Sequence, residues 1–292
     1  MITVVLIALV FMFLPSEAFA WGPVTHVDMA RGLLDLGHPA LAFIVNSVQN
    51  TWAFLYGGLA PDLFIAKNRQ VFEHHTHNWA KAFEMYQKAE DEEERAFALG
   101  YLLHLAADTV AHNNYVPYKM LEDPMGKKRT HAYWEVRFEH TQPLDSWKAA
   151  VDIQKSHPAA RLHGFLKQHQ KPTMLSFESN VMMTRGMNRL GTNSVYRAIL
   201  DTVAHRSPIP IPDTEARLFM DRARKAMLEV LDLGADATIC QKDPRGMNSI
   251  RVAEAFFKDI RRIYRRPFVG RTHYRDLGQR QALSLRSKLL EE

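Results

Sequence analysis

The chain has 292 residues, 47% hydrophobic and 24% charged, with a formal net charge of +5: an ordinary soluble composition, long enough for one large core or two modest ones. Its one cysteine, Cys240, excludes intrachain disulfides and thiolate-rich zinc sites, so any metal must be held by nitrogen and oxygen. The positive balance is modest and gathers late, in RRIYRRPFVGRTHYR at 261–275; this stretch reads as a solvated helix face that is also compatible with an anionic lipid surface or a nucleic acid.

Taken in chain order, residues 2–14, ITVVLIALVFMFL, form an uncharged apolar run followed by Ala18-Phe19-Ala20, an A-x-A cleavage pattern. Residues 1–20 therefore read as a secretory signal peptide, and the protein as secreted or periplasmic; the run is shorter than the roughly 20 residues of a membrane span. Cleavage after Ala20 would make Trp21 the first residue, with an α-amino group of pKa about 8 that can ligate a metal once deprotonated.

Beyond the leader, helical periodicity dominates and no run of alternating strands occurs, which makes the fold class all-α. The pattern predicts helices over 26–36, 40–54, 79–90, 93–113, 130–140, 145–155, 158–168, 193–204, 213–232, 247–264 and 274–290. Turn signals separate them at Gly37-His38-Pro39, Gly57-Gly58, Asp123-Pro124, His157-Pro158 and Lys171-Pro172. The Pro-rich SPIPIPD at 207–213 reads as the one clear linker. It divides a catalytic part, 21–206, from a helical part, 207–292, that packs on it or forms a small extension. Asp213 or Thr214 is the expected cap of the helix after it.

The stretch ALGYLLHLAADTVAHNNYVP, 98–117, is apolar around nearly its whole circumference, yet His104, Asp108 and His112 recur every fourth residue along one stripe. A buried carboxylate needs a counter-charge or a cation. Nine of the 14 histidines lie between 26 and 140, so the chemistry belongs to the first half. Trp21 and His26 in WGPVTH, Asp62 on a turn in GGLAPDLF, His74, His75 and His77 in EHHTHNW, and His131 with Glu135 at i and i+4 in THAYWEVRFE complete the candidates. Each alone has a bland reading as a capped turn, exposed loop or surface pair. Together, five His, two Asp, one Glu and a terminal amine exceed the needs of one tetrahedral zinc and suit two or three ions of a catalytic kind.

The order Trp-x4-His, Gly-Gly-x-x-Pro-Asp, His-x-Trp, His-x3-Asp, His and His-x3-Glu resembles the bacterial zinc-dependent phospholipase C family, which shares an all-α fold with the fungal single-strand zinc nucleases. The likeness covers residues 21–140. It implies a single multi-helix globular domain and three zinc ions: one on Asp62, His77, His104 and Asp108, a second on His112, His131 and Glu135, and a third on the Trp21 amine and carbonyl, His26 and Asp108. His77 fits because Trp79 supplies the aromatic that follows the family's ligand; His75 is the alternative.

Two features depart from the family. Three residues, Thr109–Ala111, separate Asp108 from His112 where the secreted phospholipases have five including a proline, so His112 is expected on the same helix. The longer His112–His131 interval makes Lys127-Lys128-Arg129 a loop near the cleft. The implied activity is phosphodiester hydrolysis by a water that bridging zinc ions activate, with Asp62 accepting or orienting its proton. Glu135 leans toward phospholipid, presented at a membrane surface, as substrate; Phe54, Tyr56, Phe64, Phe72 and Tyr115 could line an acyl-tolerant cleft, with core packing the expected place of most of them. The Trp21–His26 spacing resembles the nucleases, with nucleic acid as substrate. A non-catalytic metal-binding protein is the third reading, and no feature points to a protein partner.

Overall fold

A computed structural model describes residues 21–64, 75–122, 131–170, 175–264 and 271–291. The leader at 1–20, Phe72, His74 and Lys127-Lys128-Arg129 lie outside the described residues, as does the middle of the basic stretch at 265–270. Among the described residues every regular element is a helix: α1 Pro23–Leu34, α2 Ala42–Val45, α3 Val48–Gly57, α4 Trp79–Gln87, α5 Glu92–Val110, α6 Val116–Met120, α7 His131–Glu139, α8 Leu144–Ile153, α9 His157–His169, α10 Phe177–Gly191, α11 Ser194–His205, α12 Asp213–Leu233, α13 Met247–Tyr264 and α14 Arg271–Glu291.

Helix α5 is the centre of the molecule, packed by α3, α4, α9, α12 and α1. Its first turn suits a helix start: the Asp91 carboxylate accepts the Glu94 amide at 2.8 Å, and Glu92, Glu93 and Glu94 complement the helix dipole. From Ala96 to Val110 every residue is buried, and side chains such as Phe97, Leu102 and Leu105 each contribute about 1.5–3 kcal/mol when fully removed from water. Its crossing with α3 is backbone to backbone. A Cβ on Gly100 would stand 2.0 Å from the Phe54 carbonyl oxygen, and one on Gly57 1.9 Å from that of Phe97. Only glycine permits that approach.

The structure corrects several expectations. The helix expected over 40–54 is two, because Ser47 Oγ accepts the Asn50 amide at 3.3 Å and restarts the chain as α3. The helix expected over 93–113 does not stop there: it passes through a π-helical turn, Ala111–Tyr115, into α6. Pro117 fits at the start of α6 because its missing N–H falls where the π turn has already shifted the ladder. Helix α10 lies outside the expected set because its buried face, Phe177, Asn180, Val181, Thr184 and Asn188, is half polar; its start is fixed by Ser176 Oγ accepting the Ser179 amide at 3.1 Å. Neither Asp213 nor Thr214 caps α12. Pro212 occupies that position without a side-chain bond, and Asp213 is the first helical residue.

SPIPIPD is packed rather than free. Ile209 is buried, the Pro210 carbonyl accepts from Lys119 Nζ at 3.0 Å, and Lys119, itself fully buried, pairs with Glu122 and, at 2.7 Å, with Glu215 of α12. Phe219, Ala223, Met227 and Val230 of α12 belong to the same apolar cluster as α5.

Candidate metal centre

Asp62 stands on a 3-10 turn, Ala60–Leu63, that leaves α3 through Gly58; Pro61 sets its first residue, and the turn delivers the carboxylate to the C-terminal half of α5 with no exposure to solvent. His77 precedes Asn78, the cap of α4. Its segment is tied down from below: the Thr76 carbonyl accepts the Tyr101 hydroxyl at 2.7 Å, and that hydroxyl accepts from Gln170 Nε2 at 3.1 Å. The stripe on α5 supplies His104 and Asp108, and the π turn carries His112. Helix α7 brings in His131 and Glu135 one turn apart.

These side chains meet. Asp62, His77, His104 and Asp108 each offer an atom within 4.8 Å of the others, and so do His112, His131 and Glu135. In the first group His77 Nε2 is 2.7 Å from Asp108 Oδ2 and 3.6 Å from Asp62 Oδ1, while His104 Nε2 is 3.2 Å from Asp108 Oδ2 and 3.9 Å from Asp62 Oδ1. In the second, Glu135 Oε1 is 2.7 Å from His131 Nε2 and 3.9 Å from His112 Nε2. The groups adjoin, with the rings of His77 and His112 centred 6.4 Å apart.

His26 belongs to neither group, but its Nε2 is 3.0 Å from the other oxygen of Asp108, and its ring stacks on His104 at 3.7 Å. Trp21 is buried, its indole stacked on Phe138 at 4.9 Å; an amine on Trp21 depends on cleavage at Ala20, outside the described residues. His75 is buried beside the first group but not in it: its Nδ1 accepts the His77 amide at 3.0 Å.

Tautomers follow from the acceptors. His104 Nδ1 lies 2.8 Å from the Gly58 carbonyl and His112 Nδ1 lies 2.6 Å from the Pro244 carbonyl. A carbonyl only accepts, so each Nδ1 carries the proton and each Nε2 is left with its lone pair toward the cluster. That is the arrangement of a metal-ligating histidine oriented by an outer partner.

The electrostatics ask for a cation. Burial works against the charged form of Asp108, yet the imidazoles of His104 and His26 outweigh it and hold its pKa well below the usual carboxylate value. Burial pushes Glu135 up to about 7 against the opposing pull of His131. Burial lowers the pKa of His26, and the stacked His104 ring, which a second protonated imidazole would face, adds to it. Both oxygens of Asp108, Oε1 of Glu135 and Nε2 of His131 are buried and, among the described residues, make no hydrogen bond of acceptable geometry. Carboxylates and imidazoles packed this closely, with their free oxygens and ring nitrogens turned toward one another, are the donor pattern a divalent ion satisfies. An all-nitrogen and oxygen set fits zinc.

Glu139, one turn beyond Glu135 on α7, was not singled out from sequence although its i+4 spacing was visible. It is buried and accepts three hydrogen bonds from the first turn of α1: the Val24 amide at 2.7 Å, the Thr25 amide at 3.0 Å and the Thr25 hydroxyl at 2.6 Å. Burial raises its pKa to about 7. A Cβ on Gly22 would stand 2.4 Å from this carboxyl, so glycine at 22 admits the clamp. Gly58, Tyr101 and Pro244 were also missed as supports. Gly58 was read only as a turn, and carbonyl partners leave no signature in a side-chain pattern.

A family model described as zinc dependent phospholipase C matches residues 25–179, more than half of the chain. An uncharacterized protein of Archaeoglobus fulgidus is 34% identical over 100 residues, which span 32% of this chain and 26% of that protein. The match thus reaches only about a quarter of the relative's length. No solved structure matches the chain significantly.

Proposed function

Because this chain belongs to the zinc-dependent phospholipase C family, we propose that it is a secreted or periplasmic phosphodiester hydrolase that cleaves glycerophospholipids at a membrane surface. The observation that carries the proposal is the meeting of seven buried or half-buried donors in two adjoining groups, with Asp108 between the first group and His26. In this reading Asp62, His77, His104 and Asp108 hold one zinc, and His112, His131 and Glu135 a second. His26, Asp108 and the amine and carbonyl of Trp21 hold a third once the leader at 1–20 has been removed. Bound zinc supplies Lewis-acid chemistry, lowering the pKa of water and offsetting charge on phosphoryl oxygens.

The chain's own residues do the rest. Asp62, carried on a short rigid turn, is the acceptor that orients or takes the proton of the attacking water. Gly58 and Pro244 hold His104 and His112 with Nε2 forward. Phe54, Tyr56, Phe64 and Tyr115 are packed in the core, so the acyl-tolerant surface must be sought elsewhere. Residues 207–292 form part of the same globule in this reading, and no helix among the described residues is long and apolar enough to cross a membrane.

The test is release of diacylglycerol from phosphatidylcholine beside release of acid-soluble nucleotides from single-stranded DNA, with zinc counted on the same preparation. Diacylglycerol release that chelation abolishes and that Asp62→Asn lowers by about 10²–10⁴-fold supports the proposal. Nucleotides without diacylglycerol would make it a nuclease, and zinc binding without turnover a non-catalytic metal protein.

A further inference from the structure

We propose that Lys242–Gly246, far beyond the family-matched region, is a positioning clamp for His112, and that Gly246 is its critical residue. The inference rests on the reading that His112, His131 and Glu135 hold a metal ion. It concerns how late sequence completes that site.

Four bonds or contacts lock this segment against the π turn and α4. Trp79 Nε1 donates to the Lys242 carbonyl at 3.0 Å, Asn113 Nδ2 to the Asp243 carbonyl at 2.9 Å, and His112 Nδ1 to the Pro244 carbonyl at 2.6 Å. Gly246 then closes on the backbone of His112 itself: an added Cβ would lie 2.4 Å from the His112 carbonyl oxygen and 2.6 Å from its Cβ. The segment is braced internally, since the Gly246 amide and the Asn113 amide group share the Asp243 carbonyl, the former at 2.9 Å, and Arg245 Nε donates to the Asp243 carboxylate at 3.0 Å. Ser249 Oγ donates to Asn113 Oδ1 at 3.2 Å, extending the brace into α13.

The physical reason for the device lies in the π turn. His112 is carried on that turn, Ala111–Tyr115, where the backbone leaves the regular α-helical hydrogen-bond ladder. A neutral imidazole there can present either nitrogen. The Pro244 carbonyl removes that freedom by accepting only from a protonated Nδ1, which commits Nε2 to Glu135 and His131. Gly246 has φ +54, a left-handed conformation natural to glycine, and having no side chain it lets the carbonyl come within 2.6 Å.

The experiment compares full-length wild type with Gly246→Ala, Trp79→Phe and a matched control, Gly234→Ala. Gly234 also has a positive φ, +58, but nothing within 4 Å of an added Cβ, so it tests a strained glycine position without the collision. Zinc is counted after dialysis against graded chelator. The His112 tautomer is read after complete zinc removal from ¹H–¹⁵N spectra of ¹⁵N-histidine-labelled protein, assigned with His112→Gln. Expected for Gly246→Ala, and more weakly for Trp79→Phe, are an affinity loss of about 10- to 100-fold confined to one equivalent of zinc and a His112 ring no longer held as the Nδ1–H tautomer. Gly234→Ala should match wild type in both. The inference is overturned if Gly246→Ala and Trp79→Phe retain zinc and tautomer like wild type, or if Gly234→Ala loses as much. Should Gly246→Ala not fold, Trp79→Phe decides. A wild type that binds no zinc would instead overturn the functional reading on which the inference rests.

Discussion

Asp108 is the residue on which the centre turns, because its two oxygens face different partners: Oδ2 looks to His77 and His104, Oδ1 to His26. Asp108→Asn should therefore lose more than one equivalent of zinc, whereas His131→Ala should lose one; metal analysis of the two purified variants checks the difference. Glu139 makes a second residue-scale prediction. Glutamine in its place keeps the shape but turns an N–H₂ toward the Val24 or Thr25 amide, leaving a buried donor unmet at a cost of about 1–3 kcal/mol. Denaturant titration of Glu139→Gln should report that loss, with weaker zinc retention at His26, which the same turn of α1 carries. Cys240 offers a pH test away from the metal. Burial, helped by Glu229, pushes its thiol up to about 11, so at pH 8 only roughly 0.1% is thiolate. Alkylation should be slow there and accelerate about tenfold per pH unit; a rate already maximal at pH 9 would contradict the shift.

At the scale of elements, the helices that carry the candidate donors were legible because donors sharing one helical face obey helical spacing. His104 and Asp108, and likewise His131 and Glu135, announce themselves at i and i+4, and the apolar background of 98–117 marked α5 as buried before any coordinates. What stayed hidden was set by backbone events that side-chain periodicity does not record. The π turn carries the chain from α5 into α6 without altering the hydrophobic pattern, and Ser47 and Ser176 start helices with a single hydroxyl. The close crossing at Gly57 and Gly100 also went unread, since two glycines 43 positions apart give no sign that each lies against the other helix's backbone. It nonetheless places the Gly58 carbonyl under His104. Gly100→Ala should force α3 and α5 apart, with a destabilisation of about 1–3 kcal/mol or more. The denaturant midpoint should fall, and zinc retention with it as the Gly58 carbonyl recedes from His104.

For the whole molecule, one apolar cluster runs from Trp21 and α1 through α5 to α12 and Ala282 of α14, so the candidate metal centre rests on a core that the late helices share. SPIPIPD marked a boundary at 207 with the late helices packed on the first part or extending from it, and proline content cannot choose between the two because it speaks of backbone stiffness, not of whether Ile209 finds a buried place. Ligands that bind only the folded state raise its stability by mass action, about 4 kcal/mol at a thousandfold excess over Kd. Chelation should thus lower the melting temperature by several degrees, with zinc restoring it and magnesium, which prefers octahedral oxygen ligation, failing to do so; calorimetry of the three samples checks this. Chain order adds a consequence of the Pro244 contact. Every candidate ligand has been synthesised once the chain reaches Glu135, yet the carbonyl that aligns His112 is still more than a hundred residues from synthesis. A nascent chain thus carries an incomplete centre through most of translation, which defers firm zinc capture until the polypeptide is nearly finished and, for an exported protein, favours loading after transport.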